Sequence, residues 1–395
     1  MHAWVNPSAG NESSGSQRVP VRCEELWTSK QRQAASIHEI SYRACFKPQL
    51  PSYFIERFTR PGDVVYDPFS GRGTTAIEAA LHGRRIIAND INPLSQLLCC
   101  PRLELPDLTA VETRLQRLPK PDKKNSDIDL SMFFHRSTLA EISALRAYLQ
   151  QRHDDGAEDA ADRWIRMVAT NRLTGHSSGF FSVYTLPPNQ AVSPENQVKI
   201  NYRLKQRPEY RNTHAIILKK SRQLRRNLQS ADITRLQTAA ASAQFMSVDA
   251  AATKQIATAS VQLTVTSPPF LDVVQYARDN WLRCWFNGLD AMTIGKYITM
   301  SRTIVDWNVA MAAVFSELHR ITRIGGRIAF EVGEVRKGQI RLEEQVVPLG
   351  VAAGFDCEAV LINKQRFTKT ANIWGIGNNR LGTNTNRIVL FRKPA

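Results

Sequence analysis

Asp63-Val64-Val65-Tyr66-Asp67-Pro68-Phe69-Ser70-Gly71-Arg72-Gly73-Thr74-Thr75-Ala76-Ile77-Glu78-Ala79-Ala80-Leu81-His82 is followed, after Gly83-Arg84, by Arg85-Ile86-Ile87-Ala88. The run from Asp63 to Tyr66 is short, apolar and β-branched and reads as a strand. The glycines read as a tight turn, Thr74 to His82 as a helix, and Arg85 to Ala88 as a second strand. This is a βαβ unit. Val261-Gln262-Leu263-Thr264-Val265 and Arg327-Ile328-Ala329-Phe330-Glu331-Val332 are further strand candidates flanking a helical stretch from about 309 to 322, and 386–391 closes the chain with another. Strands alternating with helices imply an α/β fold: a parallel or mixed sheet with helices on both faces.

At 395 residues, with 43% hydrophobic and 22% charged, the chain can bury one large core, or a core plus one insertion, and is too apolar for disorder. No apolar run approaches the roughly 20 residues that span a bilayer. Met1 to Gly10 has no basic segment followed by an apolar one. The expectation is a cytoplasmic protein without membrane contact. Six cysteines, at 23, 45, 99, 100, 284 and 357, form no CxxC pair, which argues against structural zinc and a disulfide framework; no metal is expected. Residues 1–20 are polar and read as a mobile tail. The core is expected over 21–110 and 240–395, with 111–239 a largely helical insertion that includes Ser137 to Arg152. No internal repeat is present.

The net charge of +16 favours a polyanionic partner. Between Arg163 and Arg226 there are 13 Lys/Arg against 2 Asp/Glu, +11 of that total. Trp164, Phe180, Phe181, Tyr184, Tyr202 and Tyr210 are interleaved with this charge. Such aromatics could stack on bases while the cations neutralise phosphates; the alternative is a solvated face over an aromatic core.

Asp67-Pro68-Phe69-Ser70-Gly71-Arg72-Gly73-Thr74-Thr75 sits where the first strand gives way to the helix. Its glycines allow a tight backbone approach, and the helix amino terminus offers free N–H groups to an anionic group. Gly71, Gly73 and Ala76 also satisfy a dinucleotide fingerprint, with Asp90 where a ribose-binding carboxylate would fall. The glycines alone therefore do not choose between nucleoside cofactors. A carboxylate at the strand end, Asp67, suits a positively charged amino group, which S-adenosylmethionine carries and a pyrophosphate does not.

Thr266-Ser267-Pro268-Pro269-Phe270 follows directly on the strand 261–265, at a carboxyl end where α/β sheets keep their ligands. Two consecutive prolines hold a rigid turn, lack N–H groups and leave carbonyls as acceptors. Those carbonyls can take hydrogens from the exocyclic amine of a nucleobase and tilt its lone pair out of the ring plane towards a methyl donor. Ser267 can bond the amine or the adjacent ring nitrogen, and Phe270 can stack on the base. A base in a duplex would have to be flipped out, at a cost of roughly a few kcal/mol. The plain alternative is a rigid turn ending a strand.

Together these segments resemble the amino-group DNA methyltransferases, which transfer a methyl from S-adenosylmethionine to cytosine N4 or adenine N6. The resemblance covers about 37–100 and 245–395. It implies a Rossmann-like methyltransferase core in which Ser267, Pro268, Pro269 and Phe270 are catalytic and Asp67, Pro68, Phe69, Gly71, Gly73, Thr74 and Thr75 form the cofactor loop. It further implies Asp90 on the ribose, Phe46, with Lys47 and Pro48, over the methionine part, and Asp249, within Ser247-Val248-Asp249-Ala250, on the adenine. Asp272, Tyr276, Arg278 and Trp281 are similar to the stretch that follows the catalytic motif. Members with Ser in the first catalytic position more often modify cytosine N4. The motif order leaves an interval of about 190 residues with room for target recognition, where the basic stretch falls.

The function expected is a site-specific cytosine-N4 methyltransferase acting on double-stranded DNA with base flipping, served where a restriction system exists by a separate endonuclease. An adenine-N6 or RNA methyltransferase, a non-catalytic nucleic-acid binder and a nicotinamide-dependent oxidoreductase are the alternatives.

Overall fold

The computed structural model describes residues 2–4, 19–24, 34–42, 45–119, 121, 127–185, 191–269, 276–298, 301, 303–332, 334–335, 340–364 and 385–395. The strands are β1 (His2–Trp4), β2 (Val19–Glu24), β3 (Val64–Asp67), β4 (Arg85–Asn89), β5 (Gln244–Met246), β6 (Val261–Thr266), β7 (Thr322–Val332), β8 (Glu334–Val335), β9 (Ile340–Arg341), β10 (Asp356–Lys364) and β11 (Thr385–Arg392). Nine of them form one sheet in the order β1-β2-β10-β11-β7-β6-β3-β4-β5, while β8 pairs with β9. From β5 through β4, β3 and β6 to β7 every pairing is parallel. β11 lies antiparallel between β7 and β10, and β2 runs parallel to β10.

The helices of the first half are α1 (Gln49–Phe58), α2 (Thr74–Leu81), α3 (Leu94–Glu104), α4 (Leu108–Gln116), α5 (Arg136–Asp154) and α6 (Ala160–Arg172). They are followed by α7 (Pro194–Leu204), α8 (Thr213–Arg225), α9 (Ser230–Ala240), α10 (Tyr276–Phe286), α11 (Ala291–Tyr297), α12 (Ile304–Ile321) and α13 (Glu343–Ala352). Successive strand residues point to opposite faces, so each strand feeds two cores. Val65, Ile86, Ala88, Leu263 and Val265 pack with residues of α1, α2 and α3. Tyr66, Ile87, Ile328 and Phe330 pack on the other side with Trp307, Phe315 and Leu318 of α12 and Val346 of α13. A sheet buried on both faces with helices over each is the α/β architecture expected from the alternation.

Of the first twenty residues, 2–4 and 19–20 are described. His2–Trp4 is a strand, antiparallel to β2, which begins at Val19.

The region from 111 to 239 is helical, as expected, and its Leu145, Trp164, Ile165, Ile217 and Leu236 belong to the same continuous core as Ile77 and Leu98. Three aromatics read as candidates for stacking on bases are core side chains instead: Trp164, Phe180 and Phe181 are buried. The Trp164 indole donates to Ser221 Oγ at 2.9 Å. Tyr202, 88% exposed, and Tyr210 do face solvent. The charge is likewise less free than its count. Arg163 pairs with Glu104, Arg166 with Glu158, Arg222 with Glu112 and Arg226 with Glu39, all carboxylates outside the basic stretch.

Candidate active site

The turn after β3 is fixed from beneath. Asp67, 2% exposed, accepts from the Thr266 hydroxyl at 2.6 Å and from the Phe69 amide at 3.1 Å through Oδ1. Burial pushes its pKa up to about 7 against those two bonds. Thr75 Oγ1 donates to the Val265 carbonyl at 3.0 Å. The end of β3, the start of α2 and the end of β6 are therefore one hydrogen-bonded unit. Gly71 and Gly73 have φ of +52° and +76°, values that favour glycine. A Cβ at Gly73 would also collide with Cys99 Sγ of α3. The helix that follows has no side-chain cap, so its first N–H groups are available to a ligand.

Asp90, at the end of β4, accepts from the Gly71 amide at 2.8 Å and from the Asn92 amide at 2.9 Å. Burial raises its pKa to about 6 against these bonds. Its neighbour Asn89 stitches the next strand on: Nδ2 donates to the Val248 carbonyl at 2.9 Å and Oδ1 accepts from the Val248 amide at 3.1 Å. That brings Asp249 to the site, where its own Oδ1 accepts from the Ala251 amide.

These segments enclose a cavity of about 290 Å³ lined by Tyr42, Phe46, Pro68, Phe69, Ser70, Gly71, Thr74, Asp90, Asn92, Asp249, Ser267, Pro268, Pro269, Tyr297, Met311 and others. The volume is at the lower end for a small-molecule site. The structure thus brings together Phe46, Pro68, Phe69, Gly71, Thr74, Asp90, Asp249, Ser267, Pro268 and Pro269. Asp67, Gly73 and Thr75 are not on the wall. They lie one layer behind it, where they hold the loop. Lys47 is exposed, Pro48 is the N-cap residue just ahead of α1, and Phe270 and Asp272 lie outside the described residues.

Sequence reasoning missed Tyr42, Asn89, Asn92, Tyr297 and Met311, and also Trp307. The Trp307 indole Nε1 donates to the Pro269 carbonyl at 3.0 Å, from a side chain that is itself buried in α12. The paired amides Asn89 and Asn92 around Asp90 were a readable signal; Trp307, almost 40 residues from the turn it holds, left none. Among the described residues, no group of three or more His, Cys, Asp or Glu could hold a metal ion. No described helix is long and apolar enough to cross a membrane.

A sequence model of the DNA methylase family matches residues 6–95, which contain the loop after β3 and Asp90. The chain is 35% identical over 85 residues to the type II methyltransferase M.MjaII of Methanocaldococcus jannaschii, covering 21% of this chain and 16% of that one. It is 42% identical over 60 residues to the type II methyltransferase M.MvaI of Kocuria varians, 14% of this chain and 13% of that protein. It is 37% identical over 62 residues to the orphan methyltransferase M.BamHII of Bacillus amyloliquefaciens, 15% of this chain and 23% of that protein. The chain therefore spans less than a quarter of the length of these relatives. These matches support the resemblance to amino-group DNA methyltransferases.

Proposed function

We propose that the protein transfers a methyl group from S-adenosylmethionine to the exocyclic N4 of cytosine in duplex DNA, with the target base flipped into the cavity. The single observation that carries this reading is that Ser70, Gly71, Thr74 and Asp90 share one cavity with Ser267, Pro268 and Pro269. A nucleoside site and an amine-binding turn so placed can set donor and acceptor in line.

The residues present fit the cofactor. Ser70 Oγ is buried without a hydrogen-bond partner yet lies on the cavity wall, an unsatisfied group that a polar ligand would complete. When bound, S-adenosylmethionine supplies an electrophilic methyl on a sulfonium. Ser70, Gly71, Thr74 and the first N–H groups of α2 would hold its methionine end, Asp90 the ribose and Asp249 the adenine, with Phe46 closing over the methionine part. Asp67 acts from behind by tying the loop to Thr266.

At the other end, the Pro269 carbonyl already accepts from Trp307; the Pro268 carbonyl would accept one amine hydrogen, and the Ser267 hydroxyl would accept the other and donate to the adjacent ring nitrogen. Holding both hydrogens would raise the nitrogen lone pair out of conjugation and turn it towards the methyl donor. Phe270 would stack on the base. The serine at the first position favours cytosine N4 through the family resemblance.

The test is transfer of labelled methyl from S-adenosylmethionine to unmodified duplex DNA and, separately, to RNA. Label on DNA alone is expected, with Ser267→Ala lowering the rate by about 10²-fold while cofactor affinity stays unchanged. No transfer by a cofactor-binding protein to DNA of mixed sequence, or an undiminished rate in Ser267→Ala, would overturn the assignment.

A further inference from the structure

Residues 36–42 reach the cavity without belonging to a strand of the sheet. Ser36–His38 is one turn of 3₁₀ helix, and Tyr42 beyond it lines the cavity. Carbonyls outside regular structure need donors from elsewhere, and here side chains of four other segments supply them. Arg102 of α3 donates to the Ile37 carbonyl at 3.3 Å. Arg72, from the loop after β3, donates through Nη1 to the carbonyls of His38 at 3.2 Å and Ile40 at 2.8 Å. The Ser41 carbonyl takes two donors, Asn171 Nδ2 of α6 at 2.9 Å and Arg283 Nη2 of α10 at 3.1 Å. Asn171 and Arg283 are both buried, at 2% and 8% exposure.

Both donors are themselves held in place. Arg172 Nη2 donates to Asn171 Oδ1 at 2.6 Å, which fixes the amide with Nδ2 towards Ser41. Arg283 Nη1 donates to Asn280 Oδ1 at 2.9 Å. Asn287 Nδ2 joins the two helices, donating to the Arg283 carbonyl at 2.8 Å and to Thr170 Oγ1, next to Asn171, at 2.9 Å. α6 and α10 therefore converge on one carbonyl as a linked pair.

The residue after that carbonyl is Tyr42. Its ring packs on the glycine loop, where a Cβ at Gly71 would lie 3.7 Å from Tyr42 Cε1. Its hydroxyl accepts from Asn92 Nδ2 at 3.4 Å, and Arg283 lies over the ring at 5.6 Å. The amides of Gly71 and Asn92 both donate to Asp90. These contacts of Tyr42 are thus with the loop and the carboxylate assigned to the cofactor.

We propose that Asn171 and Arg283 are positioning residues for the cofactor: by holding the Ser41 carbonyl between them they set the Tyr42 ring as a wall of the S-adenosylmethionine site. Neither lines the cavity, so both act through Ser41 and Tyr42. The assignment rests on the cofactor part of the function proposed above, and on neither the target base nor the duplex.

The experiment is calorimetric titration of the full chain with S-adenosylmethionine, beside thermal denaturation, for the wild type, N171D, Y42L and N171D/Y42L. Asn171→Asp keeps the shape and the acceptor for Arg172 but sets an oxygen against the Ser41 carbonyl. The new carboxylate meets the guanidiniums of Arg172 and Arg283, so the thermal midpoint is expected not to fall. Affinity is expected to drop about tenfold, the worth of one hydrogen bond lost from the wall. In the Y42L background N171D should add nothing, because the residue it acts through is gone. Unchanged affinity in N171D, or additive losses in the double variant, would overturn the role. A midpoint that falls in step with affinity would make Asn171 a structural residue and overturn it as well. A wild type that binds no S-adenosylmethionine would remove the cofactor reading and this assignment with it. A wild type that binds the cofactor but methylates no DNA would remove the cytosine reading alone, and the N171D comparison would still decide the positioning role.

Discussion

Asp67 is where the proposed cofactor loop and the proposed amine-binding turn meet, because its carboxylate accepts from Phe69 on one side and from Thr266 on the other. Its folded pKa, near 7, is far above the usual carboxylate range. A carboxyl raised in this way adds stability that is fully present below about pH 4 and lost as pH rises through 7, since the folded state binds the extra proton. Asp90, raised to about 6, acts in the same direction. The contribution of these two carboxyls to the melting temperature of the ligand-free protein should therefore fall as pH rises from 4 to 7.5. Asp67→Asn, which keeps an acceptor for Thr266, should flatten that slope in a series of thermal scans; an unaltered slope would show that the burial argument is wrong. Trp307 acts on the same turn from the opposite side. Trp307→Phe keeps an aromatic in the core and frees the Pro269 carbonyl. It should cost about 1 kcal/mol of stability and lower methyl transfer roughly 10- to 100-fold through misplacement of the turn. Cofactor affinity by calorimetry should not change.

At the scale of the element, the helical region separates into side chains that build and side chains that face outward. α7 and the loop after it present Tyr202 and Tyr210 with Arg203, Lys205 and Arg207 to solvent. Trp281 of α10, the helix following the catalytic segment, donates to the carbonyls of Ala191 and Val192 just ahead of α7. These bonds tie the segment just ahead of the outward helix to α10. Tyr202→Ala and Arg203→Ala should weaken duplex binding with stability unchanged to within about 0.5 kcal/mol. Trp164→Ala should instead destabilise by about 3–5 kcal/mol, measured by urea denaturation; loss of binding from all three with equal loss of stability would contradict the division. None of this was legible in the basic stretch itself. A charge count over a window omits partners outside it, as Glu104, Glu112 and Glu39 show. An aromatic between two arginines reads alike whether its helix face is inward, as for Trp164, or outward, as for Tyr202.

For the molecule as a whole, the readable part was the part with local causes. The βαβ unit around Gly71, the strand into Ser267 and the long helix that became α12 each announce themselves by short-range periodicity. β10 and β2 did not, since Glu358, Asn363 and Pro20 interrupt their apolar pattern, and β5 has only three residues. Their places in the sheet come from pairing with strands distant in the chain. The site divides in the same way: the loop and the turn were visible as motifs, but that they share one wall with Tyr42, Tyr297 and Met311 is a product of the fold. The most direct test of that shared wall is to incubate the protein with S-adenosylmethionine and unmodified duplex DNA, digest to nucleosides and identify the methylated base by mass spectrometry. N4-methylcytosine is the expected product, absent with Ser267→Ala. N6-methyladenine in its place would contradict the reading of Ser267 and keep the cavity, whereas no methylated nucleoside from a protein that binds both cofactor and DNA would contradict the joint site itself.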